Sequence, residues 1–177
     1  VVSAQAPAFV GTSGNDGFAR IEGAGVDVVF RRLDFAGFRD GDGMDYVALV
    51  LDAAALTVED CVFRDNGVVA LDVRGAAALA VTASLFVANS ERAVRGWYGG
   101  DIRVSASTFL SNSMDDAKGG ALYAYHSPNV TLLNCTFANN SAANDGGAVF
   151  VDAERVDGTP AGDAHAVLVA GSTFASN

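Results

Sequence analysis

Carboxylates recur at one kind of place in this sequence: Asp40, Asp42 and Asp45, then Asp115 and Asp116, then Asn144 with Asp145. Such clusters support two chemistries. They hold a hard cation through oxygen ligands, or they supply the acid and the base of glycoside cleavage. Asp115, Asp116 and Asp145 form the best candidate Ca2+ site. Asp40-Gly-Asp42-Gly-Met-Asp45 has oxygen-ligand spacing but lacks the downstream Glu of an EF-hand. No Lys or Arg recurs at these corners as a lyase base would require, Lys118 standing alone. A solvated acidic corner is the simpler expectation, with Ca2+ the one cofactor to consider.

Aromatics make the second candidate group. Trp97 and Tyr98 lie in one loop and Tyr125 and His126 in another, and Tyr123 and Phe150 sit nearby on the outward side of strands. Contiguous exposed aromatics mark a binding surface for protein or carbohydrate. The alternative is that the insertion around 152–166, carrying Glu154, Arg155, Asp157 and His165, folds back and covers them. His126 and His165 read as surface residues, and no spacing supports a Ser/His/Asp triad. Three N-x-[ST] sequons, at Asn129, Asn134 and Asn139, offer glycan acceptors, with Asn134 outward by strand parity and Asn129 at a corner.

Repeats must position these residues. F-x-x-N recurs as Phe63–Asn66, Phe86–Asn89, Phe109–Asn112, Phe137–Asn140 and Phe174–Asn177, with a degenerate copy at Phe35 that has Phe38 in place of Asn. The residues seven and five places before each Phe are apolar in all copies, from Val28/Phe30 to Val167/Val169. That alternation marks a short strand with one buried face. A second column starts with Ala48, Ala70, Ala93, Ala121 and Ala148, twice after Gly-Gly. Its outward positions are read as Val50, Asp72, Arg95, Tyr123 and Phe150.

A period of roughly 23–28 residues with three short strands predicts a right-handed parallel β-helix of about six rungs, stacked at the strand spacing of ~4.8 Å. Residues 28–177 form the repeats of a single domain, and 1–27 an irregular or incomplete rung. The Phe side chains should stack in a column, and the Asn side chains should hydrogen-bond from rung to rung. Cys61 and Cys135 each lie two residues before a motif Phe, in an inward column that also holds Ser84 and Ser107. Three rungs separate the thiols by roughly 14 Å, too far for a disulfide. Both should be buried and unpaired.

F-x-x-N with G-G-A-[ILV] resembles the repeat signature of the chlamydial polymorphic membrane proteins, whose passenger domains look like surface-exposed β-helical adhesins. The resemblance covers about residues 28–177 and implies a pectin-lyase-like β-helix and a role in adhesion. Two departures are plain: only two rungs carry Gly-Gly before the Ala, and rung three reads Ser90-Glu91-Arg92-Ala93 there.

With 11 Lys and Arg against 21 Asp and Glu, the net charge is −10. That excludes nucleic acid as an expected partner, because phosphate binding needs a basic face. The longest apolar stretch, from Tyr46 to Val58, contains Asp52 and is too short to span a bilayer. The absence of an initiator Met or signal sequence, and the stop in mid-rung at Asn177, suggest a segment of a larger protein. The expectation is a structural, adhesive or assembly module of a secreted or cell-surface protein, such as a filament building block, whose partners are a protein or glycan and further rungs of its own chain. The competing reading is a β-helical polysaccharide lyase or glycosidase using the acidic corner.

Overall fold

The computed structural model describes residues 8–10, 17–39, 46–152 and 166–177. Asp40, Asp42 and Asp45, and the insertion with Glu154, Arg155, Asp157 and His165, lie outside the described residues. Among the described residues every strand pairing is parallel, and the chain coils through three long sheets of seven, six and six strands plus a two-stranded one. Rungs one to five are named here by the Phe on which each closes: Phe63, Phe86, Phe109, Phe137 and Phe174.

The first sheet carries the Phe column. Its strands are three residues long, and register pairs Phe35, Phe63, Phe86, Phe109, Phe137 and Phe174 in order. Ring centroids are 4.7 to 4.9 Å apart, with planes within 16° of parallel. The ring spacing is the strand spacing, so one ring per rung fills the interior without gaps. Phe18 also meets Phe35, edge-on at 4.9 Å.

Each Phe strand is short because a left-handed residue bends the chain on either side of it. Around Phe63 these are Asp60 and Asp65, around Phe86 Ala83 and Ala88, around Phe109 Ala106 and Ser111, and around Phe137 Asn134 and Asn139, all with φ between 47° and 55°. The bends strip backbone groups of partners, and the Asn after the second bend replaces them. Asn66, Asn89, Asn112 and Asn140 are buried. Each donates its side-chain amide to the next ladder Asn at 2.8–3.0 Å and to the backbone oxygen of a Phe one rung back. Phe38, in the degenerate copy, has no amide to offer, but its N–H donates to Asn66 Oδ1.

A smaller ladder runs through the inward column before Phe. Cys61 N–H donates to Ser84 Oγ, Ser84 N–H to Ser107 Oγ, and Cys135 N–H to Ser172 Oγ. Cys61 and Cys135 are buried and free. Burial pushes both thiols above their ordinary pKa.

The second sheet corrects the reading of rung one. Register pairs Ala48 with Leu71 and Leu49 with Asp72, so Val47 and not Ala48 shares the column of Ala70. Val50 is fully buried and inward, and Leu49 takes the outward place assigned to Val50. Because side chains alternate, one residue of slip exchanges the two faces. The slip is masked here because the outer side is also apolar: Leu49 packs with Tyr46, Val69 and Leu51 in a separate cluster. The regular coil also reaches back before residue 28, since strand Ala19–Glu22 pairs with Tyr46–Leu51 and Ala8–Val10 with Asp34–Ala36.

Candidate binding face

Outward positions of the second sheet fall into two columns across adjacent rungs. One runs Leu49, Asp72, Arg95, Tyr123, Phe150, and the other Leu51, Arg74, Trp97, Tyr125, Asp152. Strand pairing thus forces residues 23 to 28 apart in sequence into contact. Tyr98 and His126 follow the two strands and turn the corner with φ of 52° and 53°.

The six predicted aromatics are brought together. Trp97 lies 4.9 Å from Tyr125 and 6.1 Å from both Tyr98 and Tyr123, measured between ring centres. Tyr98 stacks on His126 at 4.9 Å, and Tyr123 stacks on Phe150 at 5.6 Å. Trp97 and Tyr98 are 44% and 42% exposed, which is high for rings of this size; the other four are half-buried. Desolvation, followed by Tyr98 as neighbour, raises the Tyr125 pKa, and desolvation raises that of Tyr123. Both phenols therefore remain protonated donors at neutral pH.

Sequence reasoning missed the cations that frame these rings. Arg92 lies over Tyr123 at 4.8 Å and Lys118 over Phe150 at 4.4 Å. Arg92 is buried, donates from Nε to Lys118 O, and holds φ at 134°, a value that disfavours any side chain. It stands in the column of Gly120, where the other rung uses glycine. Burial first, and then the nearby Arg95 charge, lower its pKa.

Beside Trp97, the fully buried Asp72 carboxylate is held by two guanidinium groups. Arg95 donates to both of its oxygens at 3.0 and 2.6 Å, and Arg74 Nε donates at 2.8 Å. Arg74, Arg95 and Trp97 line a half-open pocket of about 200 Å3. The signal was present in the sequence, since Asp72 and Arg95 are 23 residues apart, one full rung.

In the described part of the acidic corner, Asp115, Asp116 and Asp145 do not gather around one point. Asp115 and Asp116 are exposed, Asp145 pairs with Lys118 at 3.1 Å, and Asn144 bonds the backbone oxygen of Asp116. Among the described residues no three His, Cys, Asp or Glu side chains gather to hold a metal ion. Of the sequons, Asn134 and Asn139 are exposed bend residues, whereas Asn129 is half-buried and donates to Asp101 at 2.7 Å. Asn tolerates the left-handed bend better than most residues, which accounts for its presence at both places. Among the described residues no helix is long and apolar enough to cross a membrane.

Comparison with known proteins adds one result. The family model described as right handed beta helix region matches residues 20–176. No curated protein and no solved structure matches the chain.

Proposed function

Because the chain belongs to the right-handed β-helix family, we propose that it is a non-catalytic structural or adhesive module of a secreted or cell-surface protein, binding through the flank of its second sheet. The observation that carries this reading is the contiguous set Trp97, Tyr98, Tyr123, Tyr125, His126 and Phe150, held on strands that the Phe and Asn ladders keep rigid. Large rings fixed by their backbone lose little entropy on binding, and Trp, Tyr and Arg dominate interface energetics. The F-x-x-N resemblance supports adhesion, and the exposed sequon residues Asn134 and Asn139 suit a secreted chain.

The test is the double substitution Trp97→Ala with Tyr125→Ala. Both side chains point away from the core, so circular dichroism and the melting temperature should stay close to those of the parent chain. Adhesion of chain-coated beads to cells, and self-association by sedimentation, are the readouts. Loss of one of them supports the reading, and retention of both at full strength overturns it.

A further inference from the structure

We infer that the pocket formed by Arg74, Arg95 and Trp97 seats a carboxylate of an acidic partner-protein segment, with an adjacent apolar side chain packed on Trp97, Tyr98 and Tyr125. The inference rests on the binding face proposed above and names what that face takes.

Charge is the first argument. Two guanidinium groups, Arg74 and Arg95, share the one Asp72 carboxylate, an arginine pair on the flank of a chain of net charge −10. Asp72 is fully buried and Arg95 only 17% exposed, whereas the Arg74 side chain is 39% exposed. Asp72 therefore orients both arginines from below, and Arg74 presents its outer edge to the pocket. Its Nε and Nη2 face Asp72; Nη1 makes no hydrogen bond among the described residues. A guanidinium already fixed by a buried partner loses little freedom on gripping a carboxylate.

Ring geometry is the second argument, and it separates a polypeptide from a saccharide. Trp97 and Tyr98 meet at 71°, Tyr98 and Tyr125 at 89°, and Trp97 and Tyr125 at 30°. Around Tyr98 the surface is a mosaic of faces and edges, while Tyr123, Tyr125 and Phe150 stack within 8° of parallel and so do not spread into one coplanar platform for successive sugar rings. A branched or aromatic side chain fits such a mosaic. The pocket of about 200 Å3 accommodates one side chain beside it.

Trp97 is the only Trp of the chain, so its emission reports the pocket without background. A random dodecapeptide display library would be selected on the intact chain, and synthetic copies of the winners titrated by Trp97 fluorescence, and by isothermal calorimetry on every variant including the one that lacks Trp97. The expected result is enrichment of Asp or Glu next to an apolar residue. Affinity should fall about tenfold in Arg74→Gln, which leaves Asp72 held by Arg95, and equally when the peptide acid becomes an amide. Winners without acidic enrichment, lost only in Trp97→Ala/Tyr125→Ala, would overturn the carboxylate seat and leave the binding face standing. Affinities unchanged in both variants would overturn both. No peptide selected, with Trp97 responding instead to a heparin-derived decasaccharide, would overturn the peptide class.

Discussion

Asn89 Oδ1 accepts two hydrogen bonds from Asn66, one from its backbone N–H at 3.3 Å and one from its side-chain amide at 2.9 Å. The same side chain donates to Phe63 O and to Asn112 Oδ1. One buried amide therefore closes four bonds across three rungs.

Asn89→Ala removes all four bonds in a place that water does not reach. Leaving buried polar groups unpaired is costly, and a loss of about 3–5 kcal/mol in unfolding free energy is expected by urea titration. Asn177→Ala removes the same chemistry from an exposed position, where water substitutes, and should cost about 1 kcal/mol or less. Equal losses at the two sites would show that the ladder does not act through buried satisfaction.

Backbone geometry sets opposite outcomes for two small substitutions. A Cβ at Gly120 would lie 2.1 Å from Ser141 O and 2.5 Å from Gly147 O, both backbone atoms. Gly120→Ala should cost about 3 kcal/mol or more, because rungs four and five must separate to admit it. Ala106, exposed with φ of 47°, sits in a bend where a Cβ is itself strained. Ala106→Gly should be neutral or stabilising by about 0.5 kcal/mol, the relief of strain offsetting the added chain entropy. Thermal melts of the two variants check both signs.

The thiols predict a pH dependence. Burial raises Cys61 and Cys135 above the ordinary value of 9.0, so the folded chain keeps protons that the unfolded chain releases. Stability from this source is complete below pH 9 and declines as pH rises beyond it. The double variant Cys61→Ser/Cys135→Ser should remove that decline and stay within about 1 kcal/mol of the parent at neutral pH, because Ser84, Ser107 and Ser172 already occupy the column. Urea titrations at pH 7.5 and 9.5 measure both effects.

Features that recur once per rung were open to reading from the chain, because in a coil of stacked rungs sequence repeat and spatial neighbour are the same thing. The Phe column, the Asn ladder, the Gly-Gly corners and the paired aromatics belong to that class. Rung one was misread where composition hid the period. Ala48 looks like Ala70, but they are 22 residues apart, whereas Val47 and Ala70 are 23 apart. The Asp72–Arg95 pair kept the period and was still missed, since an outward position does not by itself tell whether a charge is buried. Burial of a carboxylate depends on the width of its neighbours, here Arg74 and Arg95, and no local pattern reports that. Asp145 makes a related point: proximity in the fold does not aim side chains at one another, and Lys118 takes this carboxylate.

Rungs two and three close on Phe86 and Phe109, each 23 residues after the Phe before it, and their contacts reach only to adjacent rungs. An in-frame genetic loss of residues 67–89 would set Phe109 on Phe63 and Asn112 beside Asn66, and the coil would close again, shorter by one rung. The same event would carry off Asp72 and Arg74 and erase the pocket. Duplication of that stretch would lengthen the coil and copy the pocket's acid. Length and specificity are thus separately heritable in this architecture, the first set by how many rungs are kept and the second by which.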